Sequence, residues 1–204
     1  MPRRGLIGEE RRPSYNYWLT RDSHAMKKAM RTRYKYACQH ISGLVYDMAC
    51  GWGFGTNILA DHCRYAIGID ADKEAIDFVK GYNPRANVEY HVQDLEKWMP
   101  ESHCDWVVTL ETIEHLKDPI GFLKRCRDIA EVGVVVSAPI GVKKPKNPFH
   151  ITDVTHEMID DTLGCGGWRN TNLEVMEHRR EDKPNLPLGT VYVYQAPAHL
   201  SYSI

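Results

Sequence analysis

The sequence predicts a single α/β domain built on a mostly parallel, seven-stranded sheet with helices on both faces. Three observations predict this fold class. From Leu44 onward, short apolar runs alternate with amphipathic segments, which is typical of parallel strands joined by crossover helices. A glycine-rich turn follows the first run. The last two strand-like runs, 172–177 and 191–195, are joined by a loop with proline and glycine, so we expect a closing antiparallel hairpin.

The elements follow in order along the chain. A first helix is indicated by apolar residues that recur every three or four positions, namely Met26, Met30, Tyr34, Ala37 and Ile41. Strands are predicted at 44–48, 66–69, 88–92, 106–110 and 132–137, before the closing pair. Helices are predicted to begin near Gly55, Asp72, Asp94 and Pro119, and a further helix covers 155–163 with Thr155 as its N-cap.

The size and composition are those of one soluble globular domain. The chain has 204 residues, of which 43% are hydrophobic and 26% charged. No apolar run is long enough to span a bilayer, and the first residues lack the apolar stretch of a secretory signal. The six cysteines include no C-x-x-C pair, which indicates reduced thiols. We therefore expect a cytoplasmic protein with no membrane partner.

Charge is unevenly distributed along the chain. Residues 1–36 hold ten Lys or Arg against three acids, whereas the whole chain has a net charge of −1. A basic arm can face nucleic acid, but a solvated tail and helix surface explain the same pattern more simply. The predicted organisation is a basic tail and N-terminal lid helix over 1–41 and the main domain over 42–204. Deletion of residues 1–36 is then expected to spare the fold.

The glycine-rich turn is the strongest local signal. The apolar strand 44–48 carries an acid, Asp47, and three alternate glycines, Gly51, Gly53 and Gly55, follow before a helix. Glycines at such a turn let the backbone bend sharply and approach a ligand that lies over the strand end. The same turn opens dinucleotide-binding domains, so the turn alone does not identify the ligand.

Acids near the ends of three successive strands narrow the choice of ligand. Asp47 could accept hydrogen bonds from the loop or, through water, from a ligand ammonium group. Asp70 ends the second strand at the spacing where such domains bind two ribose hydroxyls. Asp94 follows the third strand, where it could accept from an adenine amine while Leu95 offers its backbone N–H. One acid could be a helix cap, but three acids in this order favour cofactor binding.

This arrangement resembles that of the class I S-adenosylmethionine-dependent methyltransferases, which have a Rossmann-like methyltransferase fold. The resemblance covers about residues 33–161. The segment from Glu111 to Leu116 is similar to the Glu-x-x-Glu-His segment of ubiquinone-pathway, sugar or polysaccharide, and small-RNA O-methyltransferases. The resemblance implies that S-adenosylmethionine is the cofactor and that 42–204 is the methyltransferase domain. The predicted cofactor-binding residues are Asp47, Cys50, Gly51, Gly53, Asp70, Ala71, Asp94, Leu95 and Leu110.

Side chains after the fourth and fifth strands could activate an acceptor. Glu111, Glu114 and His115 stand at i, i+3 and i+4, which places them on one side of a helical turn. His150 follows the fifth strand, at the same end of the sheet. A hydroxyl acceptor needs a base or a metal ion, so Glu114, His115 and His150 are the candidate catalytic residues.

The resemblance does not decide whether the protein uses a metal ion. In the small-RNA enzymes the corresponding residues hold a divalent cation, which implies a candidate ligand set of Glu111, Glu114, His115 and His150 here. Two other interpretations remain, a metal-free histidine base and a turn that is purely structural.

The predicted function is O-methylation of a small-molecule or sugar-like hydroxyl acceptor. One alternative is a nucleic-acid enzyme that methylates an RNA 2′-hydroxyl with a divalent metal; the short N-terminal extension and the lack of an aromatic platform for single strands count against it. A second is a nicotinamide-dependent reductase, against which Asp47, Asp94 and the closing hairpin count. A third is a cofactor-binding protein without catalysis.

Overall fold

The computed structural model describes residues 25–82, 84–98, 100–140, 150–175 and 190–197. Its strands, numbered in chain order, are β1 (Leu44–Met48), β2 (Tyr65–Asp70), β3 (Val88–Val92), β4 (Cys104–Leu110), β5 (Ala130–Ala138), β6 (Arg169–Val175) and β7 (Thr190–Gln195). Its helices are α1 (Ala25–Ala37), α2 (Phe54–Ala60), α3 (Lys73–Tyr82), α4 (Pro119–Ile129) and α5 (His156–Leu163), with a 3-10 helix at Ile113–His115. Among the described residues, no helix is long and apolar enough to cross a membrane.

These strands form one sheet in the order β3-β2-β1-β4-β5-β7-β6. Strands β1 to β5 are parallel to one another, and β7 runs antiparallel to both β5 and β6. The predicted seven-stranded, mostly parallel sheet with a closing antiparallel pair is therefore confirmed. The chain leaves β1 in one direction to β2 and β3 and in the other to β4 and β5. At such a reversal of strand order, a crevice for ligands lies at the carboxyl ends of the strands.

Helices cover both faces of the sheet. On one face, α4 and α5 contribute Phe122 and Ile159 to a buried cluster that also contains Val107 of β4. On the other face, α1 and α2 contribute Tyr34 and Leu59 to a second cluster, which contains the two neighbours of Val107 along β4. Alternate residues of a strand point to opposite faces. Burial on both sides explains why this parallel strand is a continuous apolar run in the sequence.

Helix α1, which the sequence predicts to be a lid, packs one face into the core. Tyr34 and Ala37 are 4% and 0% exposed, and they share one buried cluster with Val45 of β1 and Leu59 of α2. The described part of the helix therefore packs into the core, and the division into a tail and lid helix over 1–41 and a main domain over 42–204 stays a prediction. The apolar stripe predicts the helix but does not show what packs against it. Residues 1–24 of the predicted basic tail lie outside the described residues.

The segment after β3 also differs from the prediction. It forms a single turn, in which the N–H groups of Lys97 and Trp98 donate to the carbonyl of Asp94 at 3.0 and 2.9 Å. Pro100 has no N–H with which to continue such a ladder, and it disfavours helical geometry at the preceding position. The helix predicted to begin near Asp94 is therefore wrong, and the segment is a loop between β3 and β4.

Candidate active site

The loop after β1 is held by hydrogen bonds to the end of β2 and is open at Gly51. Ala49, Gly51 and Gly53 have φ angles of 67°, 54° and 72°. The N–H groups of Ala49 and Cys50 donate to the carbonyl of Ile69, near the end of β2, at 2.8 and 3.0 Å. No atom of the described residues lies within 4 Å of the position that a Cβ on Gly51 would take. A ligand can therefore approach the backbone closely at Gly51.

The other two glycines of the turn are required by packing. A Cβ on Gly53 would lie 2.6 Å from the Tyr90 hydroxyl oxygen, and a Cβ on Gly55 would lie 1.8 Å from Cζ of Tyr34. These glycines make room for side chains from β3 and α1. The sequence pattern alone does not distinguish a glycine that faces a ligand from one that faces a neighbouring ring.

Asp70 holds the loop from the end of β2. Its Oδ2 accepts a hydrogen bond from the N–H of Gly51, and its Oδ1 accepts one from the N–H of Asp72, both at 2.8 Å. Asp72 caps α3, since its Oδ1 accepts from the N–H groups of Glu74 and Ala75. Asp70 is therefore not the helix cap. Each of its carboxylate oxygens has a further lone pair, so this half-buried side chain can also accept ligand hydroxyls.

The remaining predicted cofactor residues differ in exposure. Cys50, Leu95 and Leu110 are almost fully buried, and their side chains belong to the apolar clusters of the domain. They are placed to offer mainly backbone atoms to a ligand. Ala71 and Asp94 are exposed, and Asp94 accepts a backbone hydrogen bond that closes its own turn. Their contact with a cofactor stays a prediction.

Asp47 lies beneath the loop and is completely buried. Thr56 of α2 donates to its Oδ2 at 2.6 Å, and the Tyr34 hydroxyl of α1 donates to its Oδ1 at 3.1 Å. Burial raises the pKa of Asp47 to about 7, although both hydrogen bonds oppose that shift. The carboxyl group thus ties α1 and α2 to the strand that carries the loop. Sequence reasoning placed it against the loop or the ligand and missed Tyr34 as its partner.

Asp47 gives an expected pH dependence of stability. Its folded-state pKa of about 7 lies above its unfolded value of about 3.9, so the folded chain binds this proton more tightly. Its contribution to stability therefore falls as the pH rises from about 4 to about 7. We expect Asp47→Asn to lose this slope, so that its melting temperature gains several degrees relative to the parent across the interval. Melting curves from pH 4 to 8 test this, with exposed Asp153→Asn as control; parallel curves for Asp47→Asn and the parent contradict it.

The chain after β4 carries the candidate catalytic residues. Glu111 follows the strand with a φ of 54°, and the 3-10 helix Ile113–His115 comes next. Glu114 is 2% exposed, and its Oε2 is buried without a hydrogen-bond partner among the described residues. An unsatisfied buried carboxylate oxygen is costly, and such groups in native structures commonly have a functional reason.

Backbone hydrogen bonds bring His150 to this turn. The N–H groups of Ile151 and Thr152 donate to the carbonyl of Glu114 at 2.9 and 3.1 Å. As a result, the imidazole rings of His115 and His150 meet edge to face, with centroids 4.9 Å apart. Side-chain ligand atoms of Glu114, His115 and His150 all lie within 4.8 Å of one another. The three residues predicted to be catalytic are thus brought together.

The cluster has an unusual distribution of protons. Burial, and then the neighbouring charge of Glu111, raises the pKa of Glu114 to about 8. Burial, and then the charge of His115, lowers the pKa of His150 below its ordinary value. At neutral pH the cluster therefore favours a protonated Glu114 and a neutral His150, whose ring can accept a proton.

Glu111 does not join this cluster. Its Oε1 accepts a hydrogen bond from the Ser137 hydroxyl at 3.0 Å and lies 3.5 Å from Nε of buried Arg33 on α1. The spacing predicted that Glu111, Glu114 and His115 would share one helical face, but Glu111 precedes the 3-10 helix and has a left-handed backbone. Three of the four predicted metal ligands therefore converge. Arg33 and Ser137 were missed because neither belongs to a local motif.

The loop after β1 and the turn after β4, which carries the candidate catalytic residues, are neighbours. Strands β1 and β4 are parallel and adjacent, with Asp47 paired in register with Val108. The chain leaves both strands at the same edge of the sheet, one strand spacing apart, about 4.8 Å. An open glycine loop with an acid on the next strand, beside a buried Glu and two histidines, can hold a nucleoside ligand next to a proton acceptor.

Comparison with known proteins agrees with this geometry. Residues 46–137 match the family model described as a methyltransferase domain. A probable S-adenosylmethionine-dependent methyltransferase of Mycolicibacterium smegmatis is 29% identical over 174 residues, which is 80% of this chain and 65% of that protein. The ubiquinone biosynthesis O-methyltransferase of Coxiella burnetii is 30% identical over 107 residues, 50% of this chain and 46% of that protein. The chain thus spans about two thirds of the former relative and under half of the latter.

A solved structure shows the same fold. The magnesium protoporphyrin IX methyltransferase of Synechocystis, with bound S-adenosylhomocysteine, superposes with a TM-score of 0.66 at 14% identity, over 85% of this chain and 84% of that chain. The fold is therefore that of the Rossmann-like methyltransferases. The domain match and the relatives support a class I S-adenosylmethionine-dependent methyltransferase.

Proposed function

We propose that this protein transfers the methyl group of S-adenosylmethionine to a hydroxyl oxygen of a small or sugar-like acceptor. The main observation in support of this proposal is that Glu114, His115 and His150 converge beside the glycine loop. Such a cluster suits an acceptor that must lose a proton, whereas an amine or a thiolate needs little activation. The O-methyltransferase name of the Coxiella burnetii relative supports the same kind of acceptor.

The loop and its acid suit an adenosyl group. Gly51 is open where a side chain would stand, and the oxygens of Asp70 have lone pairs left for ribose hydroxyls. Asp94 and the N–H of Leu95 would bind the edge of the adenine. When bound, S-adenosylmethionine supplies an electrophilic methyl group on its sulfonium. The task of the chain's own residues is then to align the acceptor and to take up its proton.

His150 is suited to receive the proton of the acceptor hydroxyl. Its pKa is lowered by burial, so its ring is neutral at pH 7 and has a lone pair to offer. As the new oxygen–carbon bond forms and the carbon–sulfur bond breaks, the hydroxyl proton moves to a ring nitrogen. His115 lies edge to face with this ring, and a carboxyl oxygen of Glu114 lies 3.8 Å from Nε2 of His115.

Metal activation of the same hydroxyl is a second candidate. One observation favours it, since ligand atoms of Glu114, His115 and His150 lie within 4.8 Å of one another. A divalent cation bound there would lower the pKa of the acceptor hydroxyl and would displace protons from its ligands. Glu111, paired with Arg33 and Ser137, would have to turn to complete the four-ligand set.

We expect Asp70→Ala to weaken S-adenosylmethionine binding roughly ten- to hundredfold. Hydrogen bonds to a charged acceptor contribute about 1.5 to 3 kcal/mol, and this variant also releases the N–H of Gly51. Calorimetry measures the change, with Asp77→Ala, an exposed carboxylate on α3, as the matched control. Unchanged affinity in Asp70→Ala would remove this residue from the site.

The proposed reaction is tested with radiolabelled S-adenosylmethionine and matched acceptors. Each pair of acceptors shares a carbon skeleton and carries either a hydroxyl or an amine, and both phenols and sugars are included. We expect label to appear on the hydroxyl compounds with release of S-adenosylhomocysteine. Methylation of amines alone contradicts the proposed acceptor. Preferential binding of a nicotinamide dinucleotide contradicts the proposed cofactor.

A further inference from the structure

Three aromatic rings form a partly exposed series beside the glycine loop, which we call the aromatic ladder: Trp52, Phe78 and Tyr82. The ring of Trp52 meets that of Phe78 edge to face, with centroids 5.5 Å apart, and Phe78 stacks on Tyr82 at 5.3 Å. Phe78 is 37% and Tyr82 is 55% exposed. The ladder therefore runs from the loop along α3, and none of its three residues belongs to a buried cluster of the described residues.

Trp52 is the side chain in the middle of the glycine loop. It stands between Gly51 and Gly53, which both have left-handed φ angles. Glycine has the greatest backbone freedom and loses the most entropy when it is ordered. The Cβ position of Gly51 is open on the ligand side. The side chain of Trp52 is thus where a contact can restrict the loop without filling the ligand's space.

Helix α3 does not need the ladder for its own packing. Its inner face buries Ala75, Ile76 and Val79, and Asp72 caps its first turn. The same helix start is tied to the loop through Asp70, which accepts from the N–H groups of both Asp72 and Gly51. A ring contact between Phe78 and Trp52 adds a second attachment between α3 and the loop.

We infer that Phe78 is a positioning residue that holds the glycine loop, through Trp52, in the conformation that binds S-adenosylmethionine. This inference depends on the cofactor binding put forward under the proposed function. Tyr82 supports Phe78 from the next turn of the helix, because residues four apart share one helical face. The ladder restricts the conformations of the loop before the cofactor binds. The loop therefore loses less conformational entropy on binding.

Phe78→Ala tests the inference. We expect the Kd and the KM for S-adenosylmethionine to rise about two- to tenfold, which is the factor equivalent to one aromatic pair of this geometry. The kcat at saturating cofactor and the melting temperature of the free protein should stay close to those of the parent. Phe78→Tyr keeps the ring and should restore affinity. Ile120→Ala, which truncates an apolar side chain 43% exposed on α4, is the matched control.

A double-mutant cycle separates positioning from a general loss of structure. If Phe78 acts through Trp52, the double variant Trp52→Ala, Phe78→Ala should bind no more weakly than Trp52→Ala alone. Parent-like affinity in Phe78→Ala, a fall in melting temperature without a change in Kd, or simple addition of the two effects each overturns the inference. Failure of the parent itself to bind S-adenosylmethionine, measured first, refutes the proposed cofactor instead.

Discussion

Replacing Tyr34 by alanine is expected to destabilise the domain by about 3 to 5 kcal/mol, the usual cost of removing a large buried ring. The ring lies against Gly55 and belongs to the core cluster shared by α1, α2 and the central strands. Its hydroxyl also donates to the buried carboxyl group of Asp47. A loss of this size approaches half of a typical domain stability. Urea unfolding followed by circular dichroism measures it.

Tyr34→Phe separates the two contributions of this side chain. It keeps the ring and removes only the hydrogen bond, so we expect a smaller loss, about 1 to 3 kcal/mol. Deletion of residues 1–37 is expected to unfold the domain, in contrast to the lid predicted from the sequence. A folded, active deletion variant, or a Tyr34→Ala variant as stable as Tyr34→Phe, contradicts the placement of α1 in the core.

The double variant His115→Ala, His150→Ala is expected to lower kcat by about a hundredfold or more. The affinity for S-adenosylmethionine should change little, because the histidines follow β4 and β5 whereas the proposed cofactor residues, apart from Leu110, lie at the ends of β1 to β3. His91→Ala, at a partly exposed histidine on β3, is the control. Single-turnover rates and cofactor titrations measure the two quantities separately. Parent-like kcat in the double variant means that the acceptor is a nitrogen or sulfur that needs no base.

The pH profile and a chelator distinguish the two mechanisms of activation. With a histidine base, kcat should rise with pH and reach its plateau at a lower pH than an unperturbed histidine would give, because the pKa of His150 is lowered and the active form is the neutral ring. Treatment with EDTA should then leave the rate unchanged. Loss of activity with EDTA and its return with a divalent cation would instead establish the metal-assisted reaction.

The strands and the glycine loop could be predicted because the sequence patterns that indicate them are local. Strands buried on both faces are continuous apolar runs, as in 106–110, and the predicted cores of β1 to β5 lie within the observed strands. The glycine turn and Asp70 were recognisable because the chain must turn sharply at one strand end and carry an acid at the next. The helix predicted to begin near Asp94 does not form, because a capping residue alone does not sustain a helix when a proline follows closely.

The parts of the site that escaped prediction depend on contacts between distant segments. The ion pair of Arg33 with Glu111 joins α1 to the end of β4, across 78 positions of sequence, and nothing in either segment indicates the other. Likewise, the apolar stripe of α1 shows a buried face but not its partner. The convergence of His115 with His150 was expected only as a consequence of strand order, and the hydrogen bonds that fix it come from backbone atoms.

Strand β7 lies between β5 and β6, so the sheet has a fixed order of assembly during synthesis. Strand β6 leaves the ribosome before β7, yet in the described part of the sheet it pairs with β7 alone. Until Thr190 to Gln195 have been made, β6 has no template and the edge of β5 is uncovered. The nascent chain therefore carries one unpaired strand, β6, together with an open edge on β5, a state that favours aggregation and the recruitment of chaperones.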